Sequence, residues 1–411
     1  MDIITRMENF QGIFGIASIL LIAFFLSENQ QKINKKTILN GIILQFLLGV
    51  FILVTPIGKP IFQYLDSVVT RLISFADAGS DFLFQSYISG AFEPALVNFA
   101  FRTLPTVIFF SALISVLYHF GIIQLVVKGF AIIFQKILKT SGSESLSVSA
   151  NIFLGQTESP LLVRPFVKTM TNSELATVMI GGFATAAGGV LAIYVGWLSD
   201  IPGIAGHLLT ASVMSAPAAI VIAKIIFPET EDSETMGNLN IQVEKTTSSA
   251  MEALASGASS GLKLAANIAA MLIAFLAILA MINYLLSFLG LSLESILGFI
   301  FMPLAWAMGA PWHEASTLGA LMGKKLVFTE LIAYTDLQTL INSQAISERT
   351  SIIAAYALCG FANFGSIGIQ LGGIGSMAPD RMRDLSSLVA KAMIGGALAS
   401  WLTASIAGIL L

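Results

Sequence analysis

Apolar runs of about twenty residues recur along the chain between short polar segments, and that spacing predicts helices that cross a membrane. The first two runs are Gln11 to Leu26 and about Ile38 to Val54, the second ended by Pro56, Gly58 and Pro60. Ile61 to Ala78 has a different pattern. Asp66, Arg71 and Asp77 alternate there with Phe62, Leu65, Val69, Leu72 and Phe75, which gives one apolar face and predicts a helix lying in the interface. A third crossing helix follows, about Leu96 to Tyr118. Gln124 to Lys139 then reads as a second interfacial helix, with Lys128, Lys136 and Lys139 on its polar side. Further crossing helices are expected over Leu175 to Leu198, His207 to Phe227, Leu262 to Leu286, Thr350 to Gln370 and Leu388 to Leu411.

Two stretches do not fit a lipid-facing helix. Asn151 to Met170 is interrupted by Gln156, Thr157, Glu158, Pro160, Arg164 and Pro165, and Phe301 to Tyr334 by Pro303, Gly309, Pro311, Gly319, Gly323 and Glu330. Irregular backbone at membrane depth is tolerated only when buried in protein or lining a cavity, so both are expected to be re-entrant hairpins. An internal echo links them. Thr157-Glu158, Ser173-Glu174 and Gly182-Phe-Ala-Thr185 recur in order as Thr329-Glu330, Ser347-Glu348 and Gly360-Phe-Ala-Asn363. The organisation read from this is a scaffold (1–140), a first transport repeat (141–227), a polar cytoplasmic loop (228–249), a scaffold helix (250–294) and a second transport repeat (295–411). The first hairpin starts from a lysine-bearing side and the second from the other. The expected fold is thus an all-α polytopic membrane protein with about eight crossing helices, interfacial helices, two opposed hairpins and inverted repeats. Such repeats with broken helices typify secondary transporters.

Composition narrows the field. Of 411 residues, 56% are hydrophobic and 11% charged, too few charges for a soluble domain and too much apolar content for disorder. A net charge of −3 gives no footprint for nucleic acid. Cys359 stands alone, and His119, His207 and His313 are scattered, so neither a disulfide framework nor a cysteine or histidine metal cluster is expected. Lys32, Lys35 and Lys36 place the first turn in the cytoplasm and the N-terminus outside, and Arg381 and Arg383 in the turn Met377 to Arg383 do the same for the C-terminus. The first run follows Asp2, Arg6 and Glu8 and leads into Ser27-Glu-Asn-Gln30, so it reads as a retained helix rather than a cleaved signal.

The chemistry is expected in the hairpins and in the glycine-rich breaks that follow them. Glu158 and Glu330 read as two buried carboxylates, each costing roughly 2.5–3.5 kcal/mol in hydrocarbon unless paired or wet. Gln156 and Thr157 add an amide and a hydroxyl, a set suited to a neutral substrate with several hydrogen-bonding groups. Gly360 and Gly365 bracket Asn363, and Ser366 and Phe361 lie beside it; Thr185 takes the matching place in the first copy. Arg164 and Lys168 read as cytoplasmic anchors. His313-Glu314 reads as a loop cap, with no mate for Glu314 in the first copy. Neither a nucleophile–base pair nor a metal cluster favours a membrane-embedded enzyme, and a passive channel has no need of paired hairpins.

Gly155-Gln-Thr-Glu-Ser-Pro-Leu-Leu-Val-Arg-Pro165, Gly360-Phe-Ala-Asn-Phe-Gly-Ser-Ile-Gly-Ile-Gln370 and Met377-Ala-Pro-Asp-Arg381 resemble the concentrative nucleoside transporter family, in its bacterial form. The resemblance covers most of the chain. It implies a homotrimeric, sodium- or proton-coupled nucleoside symporter of the bacterial inner membrane, which works by alternating access among lipids, is no enzyme and needs no cofactor beyond its cation. It also implies roles. Gln156, Thr157, Glu158 and Val190 would hold the nucleobase, and Glu330, Asn363 and Ser366 the ribose with Phe361 packed nearby. Asn151, the carbonyls of Leu154 and Ala186, and the Thr185 hydroxyl would hold sodium. The threonine departs from the serine associated with sodium-coupled bacterial members, although its hydroxyl can still ligate.

Overall fold

The computed structural model describes residues 3–87, 89–91, 93, 96, 98–237 and 247–411, with side chains from Phe10 onward. The charges at Asp2, Arg6 and Glu8 and the middle of the polar loop, 238–246, lie outside the described residues. Helices α1 (Ile3–Phe25) and α2 (Lys35–Leu53) are followed by α3 (Gly58–Phe84), then α4 (Leu104–His119) and α5 (Ile122–Leu138). No strand occurs among the described residues, only an isolated bridge between Ser141 and Met236.

α3 is one long helix with the expected apolar face. It docks on the start of α9 (Ile204–Ile226), where Asp66 Oδ1 accepts the Gly206 N–H at 3.1 Å and Phe62 meets the His207 ring. Among the described residues, six helical segments are long and apolar enough to cross a membrane, or seven if the bent pair Leu293–Ala307 and Trp312–Val327 is one span. They differ in what surrounds them. The most apolar window is 89% buried in the segment Asn172–Trp197, 89% in α9 and 83% in Pro379–Leu410, but 22% in α2 and 17% in α10 (Ala250–Ser287). Apolar helices buried on all sides form the core, while α2 and α10 leave apolar flanks that this chain does not cover. α10 packs along α4 and begins at Ala250, well before the expected Leu262.

The core consists of two similar series. The first is α6 (Gly142–Ala150), a turn, a 3-10 segment (Ser159–Phe166), α7 (Asn172–Ala184), α8 (Gly188–Trp197) and α9. The second is α12 (Trp312–Val327), α13 (Glu330–Asn342), α14 (Glu348–Leu358), α15 (Phe364–Met377) and α16 (Met382–Leu410). Each series reads as a helix pair, a broken helix and a long helix. Three sequence expectations need correction. The first pair starts at Gly142 rather than Asn151, because a capping box between Ser141 and Glu144 starts α6 inside a serine-rich run with little apolar signal. The stretch Phe301 to Tyr334 is not one hairpin. It comprises α11 (Leu293–Ala307), bent 118° against α12, and then the α12–α13 pair with its tip at Phe328-Thr329. Glu314 does have a mate, since it stands third in α12 as Glu144 does in α6. The capping reading of Glu314 agrees with the geometry: its carboxylate accepts the Ser347 N–H (3.0 Å) and hydroxyl (2.8 Å) at the start of α14.

The internal echo is real but slips in register. Thr171 caps α7 and Ser347 caps α14, whereas the matched Ser173 lies inside α7. Likewise Gly182 is inside α7, while Gly360 is in the break after α14. Thr185 is therefore the C-cap of α7, and Asn363 the N-cap of α15, at opposite ends of the two breaks.

The base of the first pair is tied down by the segment after α9. Gly142 N–H donates to Thr235 O, Thr171 Oγ1 to Glu229, Ser233 Oγ to Glu174 at 2.6 Å, and Thr169 Oγ1 to Glu234. Beneath it the buried Lys224 ammonium lies 2.7 Å from Glu144.

Candidate functional site

The second tip carries a threonine N-cap, Thr329, which accepts the Ile332 N–H and so starts α13 at Glu330. That start aims the Glu330 side chain at the break between α14 and α15. The carboxylate is 2% exposed. Its Oε1 accepts the Tyr194 hydroxyl at 3.0 Å and its Oε2 the Asn363 amide at 2.9 Å. Asn363 Oδ1 in turn accepts the Ser366 N–H at 2.8 Å, closing the N-terminus of α15. Ser366 Oγ then accepts from Gln156 Nε2 of the first tip at 3.2 Å. Gln156 Oε1 accepts from Gln370 Nε2 at 3.2 Å, and Gln370 also donates to Met179 O. One unbroken chain of hydrogen-bonded polar residues, with the Ser366 backbone N–H as one link, thus runs from Tyr194 on α8 through the second copy to the first tip. Gly182 makes room for it, since a Cβ there would lie 2.7 Å from Gln370 Nε2 and 3.0 Å from Gln156 Cβ.

Of the remaining residues expected at the nucleobase, Thr157 packs on α15 beside Gly373, and Val190 is buried in the first turn of α8. Phe361 is half-buried in the break. Glu158 departs from expectation. It is exposed, not buried, and its carboxylate folds back over Gly155. The cause is the tip's geometry, because Glu158 is the N-cap of the short 3-10 segment and points away from the packed side of the pair.

A second constellation lies at the first break. Asn151, the C-cap of α6, is 0% exposed, and among the described residues neither its Oδ1 nor its Nδ2 has a hydrogen-bond partner. Unpaired buried polar atoms cost about 1–3 kcal/mol each, so such an amide marks a place for a ligand. Thr185 Oγ1 donates to Gly181 O at 2.9 Å, which leaves its lone pairs open. Phe153 O accepts the Gly188 N–H at 3.2 Å, bringing the turn that holds Leu154 against the break that holds Ala186. These are neutral oxygen donors, a set that fits a hard monovalent cation and requires no deprotonation.

Several contributors were not singled out from sequence. Tyr194 is the one hydroxyl in an apolar turn. Gln370 closes the second quoted motif and leaves its Oε1 without a partner. Lys325 is a charge fully buried in α12, and a buried charge in an apolar helix points to function. It is 0% exposed and donates to Ala357 O (3.0 Å), Cys359 O (3.1 Å) and Ser400 Oγ (2.9 Å). Gly360, at φ +109°, lets the chain leave α14 there, and a Cβ on it would lie 2.6 Å from the backbone of Ala184. The second break therefore lies directly against the end of α7, where the first break begins.

Comparison with known proteins bears on this site. The family models described as Na+ dependent nucleoside transporter N-terminus and C-terminus match residues 14–87 and 207–408, and one described as nucleoside recognition matches residues 100–200. The chain is 42% identical over 405 residues to the uncharacterized transporter YutK of Bacillus subtilis, covering 97% of this chain and 98% of that one. It is 42% identical to human solute carrier family 28 member 3, covering 96% of this chain and 59% of the longer human one. It is 39% identical to mouse sodium/nucleoside cotransporter 1, covering 100% of this chain and 65% of that one. Among solved structures, CNTnw in an inward-facing substrate-bound state superposes with a TM-score of 0.91 at 39% identity, covering 98% of both chains. A substituted CNTnw in an outward-facing state gives 0.90 at 37% identity, again covering 98% of both. With all three models matched and the fold shared over nearly the full length, the chain belongs to the concentrative nucleoside transporter family, whose members are transporters and not enzymes.

Proposed function

We propose that this chain is a sodium-driven nucleoside symporter that imports its substrate by alternating access. The observation that carries this reading is the polar chain from Tyr194 through Glu330, Asn363, Ser366 and Gln156 to Gln370, which spans both helix-pair tips at the meeting point of the two breaks. A nucleoside would bind by adding its own groups at the donor and acceptor positions that these internal bonds leave free. The ribose hydroxyls donate to Glu330 and pair with Asn363 and Ser366, with Phe361 packed alongside. The base edge pairs with Gln156, Thr157 and the exposed Glu158, beside Val190.

Sodium is the second cargo. Asn151, the carbonyls of Leu154 and Ala186, and Thr185 are its ligands, and the unpaired Asn151 amide supports that reading. Ligation there draws the first tip onto its break and so orders Gln156. Linkage makes the effect reciprocal: nucleoside tightens sodium binding by the same factor. The two helix pairs with their broken helices then move against α2, α4 and α10, in keeping with inward- and outward-facing states of the CNTnw relatives. The working unit is a homotrimer in a bacterial inner membrane, with eight crossings and both termini outside.

The test is uptake of labelled uridine and adenosine into liposomes holding the purified chain, with sodium and proton gradients imposed separately. Uptake on a sodium gradient, with counterflow of unlabelled substrate, is the expected result. Uptake on a proton gradient alone would replace sodium by a proton, and absence of counterflow would indicate a channel.

A further inference from the structure

We propose that Lys325 is a tethered cation, its ammonium holding in the second copy the place that a free sodium ion takes in the first. The comparison with sodium rests on the reading above, while the part played by Lys325 rests on its own geometry. In each copy the first arm of the helix pair sends one polar side chain to the C-terminal end of the broken helix. In the first copy that side chain is Asn151. It lies against the last turns of α7, where a Cβ on Gly181 would be 3.2 Å from its Nδ2, and it ends in an unpaired amide. In the second copy it is Lys325, in the last turn of α12, and its ammonium bonds Ala357 O and Cys359 O at the end of α14.

The last carbonyls of a helix lack intrahelical partners and carry partial negative charge, so positive charge is favoured there. α7 and α14 are both cut off in the protein interior, and both ends need that compensation. One end waits for an ion from solution, while the other carries its own. Lys325 is satisfied in all three donor directions, with Ser400 Oγ as the third acceptor, so it leaves no room for water or a second ion. It also stands in the last turn before the tip that leads into Glu330. The second break is thus held from both sides: the ammonium grips the carbonyl end of α14, and the carboxylate grips the Asn363 amide that starts α15. Lys325 is on this reading a positioning residue for Glu330 and Asn363. Only the first copy then responds to sodium concentration, and each cycle takes one ion.

Calorimetric uridine binding at saturating sodium tests this with Lys325→Met, which keeps the bulk, and Lys325→Ala, which opens a space. Both should bind uridine at least about tenfold more weakly than native. Propylammonium should restore the alanine variant by several-fold and leave the methionine variant unchanged. Ser400→Ala, which keeps the charge, should lose no more than about threefold. Methionine-variant binding within about twofold of native would overturn the proposal, as would a folded alanine variant indifferent to propylammonium or a Ser400→Ala loss as large as that of Lys325→Met. Native uridine binding that ignores sodium, with propylammonium rescue intact, would overturn the sodium reading alone.

Discussion

Replacing Glu330 by glutamine isolates one charge at the centre of the proposed ribose site. The fold should survive. Asn363 Nδ2 donates to Glu330 and Asn363 Oδ1 is held by Ser366 N–H, so the new amide must keep its oxygen toward Asn363 and turn its nitrogen toward Tyr194. A tyrosine hydroxyl can rotate to accept. What changes is the strength of the remaining bonds. Each carboxylate oxygen has about two acceptor directions and spends one internally, which leaves one per oxygen for a ribose hydroxyl. A bond to a charged acceptor contributes about 1.5–3 kcal/mol and a neutral one about 0.5–1.5, and the hydroxyl that faces the new nitrogen must turn to accept from it. The difference is roughly 1–1.5 kcal/mol per hydroxyl, and over two hydroxyls about 30- to 150-fold in Kd. Calorimetry at saturating sodium should show that loss for uridine and a much smaller one for 2′,3′-dideoxyuridine. Equal losses for the two ligands, or a uridine Kd unchanged within about twofold, would refute the assignment.

Thr185→Ala should raise the sodium concentration needed for half-maximal uridine binding, with affinity recovering at saturation, because it removes an ion ligand and no nucleoside contact. Since those ligands are neutral, native sodium dependence should persist from mildly acidic to neutral pH; pH-driven uptake in sodium-free buffer, untouched by Thr185→Ala, would move coupling to the carboxylates. Gly182→Ala puts a methyl 2.7 Å from Gln370 Nε2, so it should push the glutamine pair aside and weaken uridine binding by about tenfold; unaltered binding would remove that pair from the site. Lys224→Met leaves Glu144 buried and unpaired, which costs about 3–5 kcal/mol. Thermal unfolding in detergent should show a clear drop in Tm, and a value equal to native would mean that water already reaches Glu144.

Much of the architecture is legible in the sequence because lipid allows few solutions. Long apolar runs give helices, and polar or proline interruptions inside them give buried irregular backbone. Gln156, Glu330, Asn363 and Ser366 are recognisable for that reason, and the structure brings all four into one hydrogen-bonded chain. The misreadings share a different cause. α6 is built from small polar residues whose burial is decided by neighbours far along the chain, so hydropathy does not mark its start, and with Glu144 missed Glu314 lost its mate. The offset of the echo arises because a capping residue and a glycine break can shift by a turn's fraction while the helices they bound stay in place. Glu158 and Glu330 look alike in sequence, but one begins a 3-10 segment and faces outward while the other begins α13 and faces inward. Tyr194 and Lys325 could not be assigned, since their partners belong to elements that meet only in three dimensions.

The contact between Gly360 and the backbone of Ala184 bears on how such chains can be recombined. With no side chain between them, the second break and the last turn of α7 share a wall one backbone thick, and Gly396 on α16 extends that wall against Phe183. Neither segment can lengthen or gain bulk without displacing the other. A chimera that grafts one half from a relative onto this chain would bring together two surfaces shaped for other partners. Exchanging both breaks with the stretch of α16 around Gly396 keeps the joint matched, so the natural unit of exchange here is the seam and not the repeat.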